Sequence, residues 1–129
     1  GKICLNQVEY HPTLSQKPVL DWIRDHDWIM TAYSPLGRGE AMESDVLKDI
    51  AATYDKSAAQ VCLRWLIQQD NVAAIPKASS KDHIKSNFEI FDFELTEQEM
   101  QEIFKLTEQE NRIVDPDFAP EWDNARQAA

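Results

Sequence analysis

The sequence predicts an α/β protein built on parallel strands. Three observations carry that expectation: apolar runs of strand length without a polar face, amphipathic helical stretches between them, and loops of Ser, Pro, Gly and Lys where the runs end. Residues 3–10, ICLNQVEY, alternate Ile3, Leu5 and Gln7 against Cys4, Asn6 and Val8, as in a strand covered on both faces. His11-Pro12 ends it. Val19, Leu20, Trp22 and Ile23 then form a helical stripe within residues 15–27, with Pro18 suited to the first turn. Residues 28–34, WIMTAYS, form a second apolar strand, and the strand, helix, strand order argues for a parallel pair joined by a right-handed crossover.

A Gly-rich loop follows, then helices over 45–54 and 57–69. The second is opened by Ser57 and Gln60 at capping-box spacing, and its face of Ala58, Cys62, Trp65 and Leu66 reads as core. NVAAIP, residues 71–76, is a short third strand closed by Pro76. Helices over 81–91 and 95–106 follow, the latter capped by Thr96 and Glu99, and residues 107–129 read as extended loop. The order accommodates an open doubly wound sheet or a contiguous part of a (β/α)8 barrel, which as a whole needs ~250 residues. An open sheet of this size usually has about five strands. Only three are found, so the barrel part is preferred, and no repeat or linker divides the 129 residues.

Charge narrows the partners. The net formal charge is −10, and residues 92–129 hold 11 acids against Lys105, Arg112 and Arg126, while the rest of the chain has 12 acids against 10 bases. Such a surface does not gather nucleic acid or anionic lipid nonspecifically, so an anionic ligand must be held by local geometry. Cys4 and Cys62 show neither CxxC nor a His cluster, which fits a reduced, cytoplasmic setting. No apolar run approaches the ~18 residues of a membrane span. The start at GKICLNQVEY, without Met, suggests a segment of a longer protein.

In parallel α/β folds ligands bind where the strands end at their carboxyl side. There the second strand runs into YSPLGRG and the third into IPKASSKDH. Gly37 and Gly39 allow close backbone approach, Ser34 offers a hydroxyl, and Lys77 precedes a helix start whose free N–H groups favour negative charge. Taken alone, Ser-Pro-x-Gly is a common turn and SSKD a common cap. Neither loop fits a Walker A or GxGxxG pattern. Glu9 and His11, two apart on one strand face, have metal-pair spacing, but no third ligand lies near, and His11-Pro12 reads as a strand exit with His11 satisfying a local backbone group. His26, within RDHD, reads as a solvated helix-end residue. No serine stands in a nucleophile elbow.

NQVEYHP, AYSPLGRG, IPKASS with IKSNFEIFDFELTEQEM behind it, and NRIVDPDFAPEWD occur in that order. Together they resemble the C-terminal half of an aldo-keto reductase, nearly end to end. The resemblance implies the last three βα units of a (β/α)8 barrel plus a C-terminal loop at 112–129, in an enzyme that reduces aldehydes and ketones with NADPH and without metal. Residue by residue, it implies that Gln7 hydrogen-bonds the nicotinamide carboxamide and Tyr33 stacks on the nicotinamide. Ser34, Leu36 and Arg38 lie in the pyrophosphate loop, Lys77 binds the 2′-phosphate, Asn87 lies near the adenine, and Trp122 walls the pocket for a small carbonyl substrate.

Two departures bear on the cofactor. Ala78 stands where many members have Ser or Thr, and His83 where an Arg commonly packs on adenine, so a bidentate cation is replaced by a mostly neutral group. NADPH is expected, with NADH the alternative. The family's Asp, Tyr, Lys and His come from earlier strands and have no counterpart here. Tyr10 belongs to the EYHP motif and Tyr33 to the stacking position, so the catalytic residues are expected in an N-terminal half of the barrel absent from this chain. A non-catalytic nucleotide- or partner-binding partial barrel is the alternative reading.

Overall fold

The computed structural model describes residues 4–119. Strand β1, Leu5–Glu9, leads through helix α1, Lys17–Asp25, to β2, Ile29–Tyr33. Pro18 stands in the first turn of α1, where a missing N–H is harmless. Helices α2, Asp45–Thr53, and α3, Ala58–Ile67, precede β3, Val72–Ala74, and α4, Lys81–Phe88, and α5, Glu97–Leu106, complete the regular elements. The sheet order is β1-β2-β3, both pairs parallel. The architecture is that of part of an α/β (β/α)8 barrel: three parallel strands with flanking helices.

Local signals explain the helix starts. Ser57 accepts the Gln60 N–H, and Gln60 Oε1 accepts the Ser57 N–H, a reciprocal cap that satisfies two donors of the first turn. Thr96 and Glu99 repeat the arrangement on α5. Helix α4 stops at Phe88, short of the expected residue 91, because Glu89 leaves helical geometry at ψ 50°. Residues 37–43, expected as open loop, wind into a kinked 3-10 turn, and Thr107–Gln109 form another before the chain extends.

Alternation then divides the strands. Val8, Met30, Ala32, Val72 and Ala74 face a core supplied by Leu20 and Ile23 of α1, Leu47 and Ile50 of α2, Val61, Trp65 and Leu66 of α3 and Ile103 of α5. Trp65 packs at its centre, with Tyr10 and Phe104 rings at 5.2 and 5.1 Å. Each such large side chain contributes about 1.5–3 kcal/mol by burial.

The opposite face corrects the expectation of strands covered on both sides. Leu5 and Ile29 of that face are 47% and 40% exposed, Ile75 just beyond β3 is 48% exposed, and β3 is half-buried along its length. Among the described residues β1 and β3 each pair only with β2, so both sheet edges are open.

Two outcomes follow from this packing. In urea unfolding Leu47→Ala, fully buried, is expected to cost about 3 kcal/mol, and Phe88→Ala, 71% exposed, under about 0.5 kcal/mol. The second concerns pH. Burial pushes the Glu99 carboxyl up, but the Tyr54 hydroxyl, 2.7 Å from Oε2, and the Thr96 amide and hydroxyl outweigh it, leaving the carboxyl below its ordinary value of 4.5. A carboxyl with a lowered folded pKa stabilises the fold above its unfolded pKa and stops doing so as pH falls through the folded one. The advantage of the wild type over Glu99→Gln in urea midpoint is therefore complete above pH 4.5 and shrinks below it.

Candidate functional site

Parallel register sends all three strands out at one end. Glu9 is paired with Tyr33, and Gln7 with Thr31, so Gln7, Glu9 and Tyr33 share the face turned away from the helices. Gln7 is exposed and Tyr33 half-buried. Beyond β2 the backbone turns repeatedly into the left-handed region: Ser34 at φ 48°, Gly37 at 56°, Arg38 at 51° and Gly39 at 98°. Such turns aim successive N–H groups outward and suit an anion. Two of these amides are internally committed, Gly37 N–H to Ser34 O and Gly39 N–H to Leu36 O, both at 2.9 Å.

The loop is held from below and from the side. The buried Cys62 thiol on α3 donates to Pro35 O at 3.0 Å. Burial pushes that thiol far up, so it acts as a neutral donor. Gly37 lies against the His11 ring: a Cβ there would stand 3.5 Å from Nδ1 in a left-handed backbone. Leu36 is half-buried and Arg38 exposed.

The third strand delivers its loop beside the second. The Ile75 N–H donates to Ala32 O at 3.1 Å, after which Lys77 is exposed. Ser80 caps α4 by accepting the His83 N–H at 3.2 Å, and the His83 side chain is exposed. Asn87 lines, with Ala78, Pro76, Ile84 and Phe88, a cavity of ≈ 340 Å³ between β3, α3 and α4. Tyr33, Ser34, Leu36, Arg38 and Lys77 thus stand at or beyond the carboxyl ends of β2 and β3, Gln7 lies midway along β1, and His83 and Asn87 follow on α4. Trp122 lies outside the described residues.

His11-Pro12 follows the end of β1 as expected, but the His11 ring does not satisfy a local backbone group. His11 Nε2 donates to Glu9 Oε1 at 2.9 Å, and Nδ1 meets the Thr13 hydroxyl at 3.0 Å, so the partners of His11 are side chains. Glu9 also accepts the N–H groups of Ile113 and Val114, at 2.7 and 2.8 Å. Burial raises this carboxyl, but the Ile113 amide, the His11 ring and the Val114 amide together hold it below its ordinary value. Sequence reasoning missed this role because the partners lie 104 and 105 residues away, and no spacing signals such a contact. Among the described residues no three His, Cys, Asp or Glu converge as a metal site.

Tyr10 and Tyr33 differ. Tyr10 is buried and donates to Gln69 Oε1 at 2.9 Å, and burial pushes its hydroxyl well up. It belongs to the core. Tyr33 is raised by burial and by the Glu9 charge, which outweigh the opposite effect of Arg112. His26 is an exposed helix-end residue whose ring stacks on Trp22 at 3.9 Å, with Nδ1 at 2.8 Å from Trp22 O.

Known proteins are similar to this chain in sequence and fold. The chain is 42% identical to the 9,11-endoperoxide prostaglandin H2 reductase of Trypanosoma cruzi, an alignment covering 94% of this chain and 44% of that protein. It superposes on a crystal structure described as "putative 2,5-diketo-D-gluconic acid reductase B" with TM-score 0.88 at 42% identity, over 92% of this chain and 43% of the other. Against a mutant of Gox0644 in complex with NADPH the TM-score is 0.81 at 27% identity, covering 90% and 43%. The chain spans less than half the length of these proteins. A sequence model described as the aldo/keto reductase family matches residues 2–108, and with the parallel sheet and its two facing loops this makes the chain a member of the aldo/keto reductase family.

Proposed function

We propose that this chain is the cofactor-holding C-terminal segment of a cytoplasmic NADPH-dependent reductase of small aldehydes and ketones. One observation carries the reading: the left-handed loop after β2 and the Lys77 loop after β3 leave adjacent strands at the same end, beside the half-buried ring of Tyr33. NADPH, when bound, supplies a hydride to the carbonyl carbon. The residues of this chain hold and orient it.

Tyr33 would stack on the nicotinamide and Gln7 hydrogen-bond its carboxamide, both being on the face that the helices leave free. Ser34, Leu36 and Arg38 of the loop would meet the pyrophosphate, as anions favour such turns. Lys77 would take the 2′-phosphate, with His83 and Asn87 toward the adenine. The proton to the carbonyl oxygen would come from a tyrosine outside this chain, since Tyr10 is committed to Gln69, Tyr54 to Glu99 and Tyr33 to the stacking position. The carbonyl pocket would be walled by the C-terminal loop, Trp122 included.

The exposed apolar face around Leu5, Ile29 and Ile75 supports a partner, the N-terminal half of the barrel, that covers it. The free thiols Cys4 and Cys62 support a reducing compartment. A net charge of −10 argues against nucleic acid, and no helix of the described residues is long and apolar enough to cross a membrane.

Calorimetric titration checks the cofactor assignment. The chain is expected to bind NADPH more tightly than NADH, and Lys77→Ala to weaken NADPH about tenfold while leaving NADH within about twofold. Equal affinity for the two nucleotides in the wild type would remove Lys77 from the 2′-phosphate. Cofactor binding without carbonyl turnover, once the upstream half is restored, would make the assembly a non-catalytic nucleotide-binding barrel.

A further inference from the structure

Glu9 is 1% exposed, and its side chain is fully enclosed at the carboxyl end of β1. Its oxygens accept three donors: Oε1 takes His11 Nε2 and the Ile113 N–H, and Oε2 takes the Val114 N–H. Two consecutive backbone amides converge on one ionised group, which makes each bond charge-assisted. The same stretch is pinned at Asn111, whose N–H donates to Thr13 O at 2.8 Å and whose side-chain amide donates to Glu40 Oε2 at 2.6 Å. Glu40 belongs to the kinked turn after Gly39, and Thr13 reaches back to the His11 ring that lies against Gly37. The Gln16 side chain closes the far end by donating to Glu9 O at 2.7 Å.

We infer that Glu9 is a positioning residue: it latches the 111–114 segment across the ends of β1 and β2, and so sets the wall of the space beside Tyr33. Glu9 and Tyr33 are register partners on one face of the sheet, and Glu9 holds the amides of Ile113 and Val114, so the latched segment lies at the strand end that carries Tyr33. The cofactor loop touches this assembly at Glu40 and at Gly37, but it also has an anchor of its own, from Cys62 to Pro35. Undocking the segment should therefore alter the carbonyl side of the site more than the nucleotide side. This consequence for catalysis rests on the reductase reading, whereas the latch itself does not.

The test has two arms. In the first, amide exchange is measured by NMR on this chain for the wild type, Glu9→Gln and Val114→Pro. Glu9→Gln keeps the volume of the side chain, and Val114→Pro deletes one donor without touching β1. Exchange at Ile113 is expected to accelerate at least about tenfold in both variants, while the Met30 and Ala32 amides of β2 stay within about twofold. Unchanged exchange at Ile113, or equal acceleration throughout β2, overturns the latch.

In the second arm the same variants are placed in the barrel completed by its upstream half. KM for a small aldehyde should rise about tenfold, with the Kd for NADPH within about twofold of the wild type. A parallel loss of NADPH affinity overturns the positioning role. Failure of the wild-type assembly to bind nicotinamide cofactor or reduce a carbonyl defeats the reductase reading instead, and leaves the exchange result to decide the latch.

Discussion

Parallel pairing of β1, β2 and β3 is the constraint from which the other features descend. It sends every strand out of the sheet at one end, so residues distant in sequence, around positions 10, 34 and 76, start their loops side by side. Strand alternation adds a second division. Val8, Ala32 and Ala74 form one row against the helices, and the flanking residues Gln7, Glu9 and Tyr33 are turned the other way. Packing by one row against α3 fixes the position of the other. Chemistry on the free face thus inherits its placement from a core it does not touch.

Most of this was legible in the residues because the signals are local. Ser57 with Gln60 and Thr96 with Glu99 announce helix starts within four residues, and both form the reciprocal bonds expected of them. Apolar runs at 28–34 and 71–76 marked β2 and β3, and Ala58, Cys62, Trp65 and Leu66 lie on the core side of α3. The loop after β2 is left-handed at Gly37 and Gly39, as glycine allows, while Ser34 and Arg38 adopt positive φ that residue type alone does not foretell.

What was not legible is non-local. An apolar strand reads as covered on both faces whether or not its neighbours are present, and Leu5 and Ile29 therefore misled. Glu9 and His11 invited a metal reading because spacing reports only what lies on the same strand, whereas the donors that satisfy Glu9 arrive from residues 113 and 114. A buried carboxylate needs partners, and that requirement could have prompted a search for them. It could not have located them, since backbone amides carry no mark in the sequence.

That anonymity has an evolutionary side. Glu9 grips Ile113 and Val114 by their main chain, so almost any residue other than proline at those positions preserves the grip. The side chains of Ile113 and Val114 are released from the task of keeping this stretch in place. A lineage can then rewrite the character of the tail substitution by substitution, passing through forms that all remain attached, and the point of attachment acts as a hinge-pin around which new surfaces are tried without the barrel end having to be rebuilt.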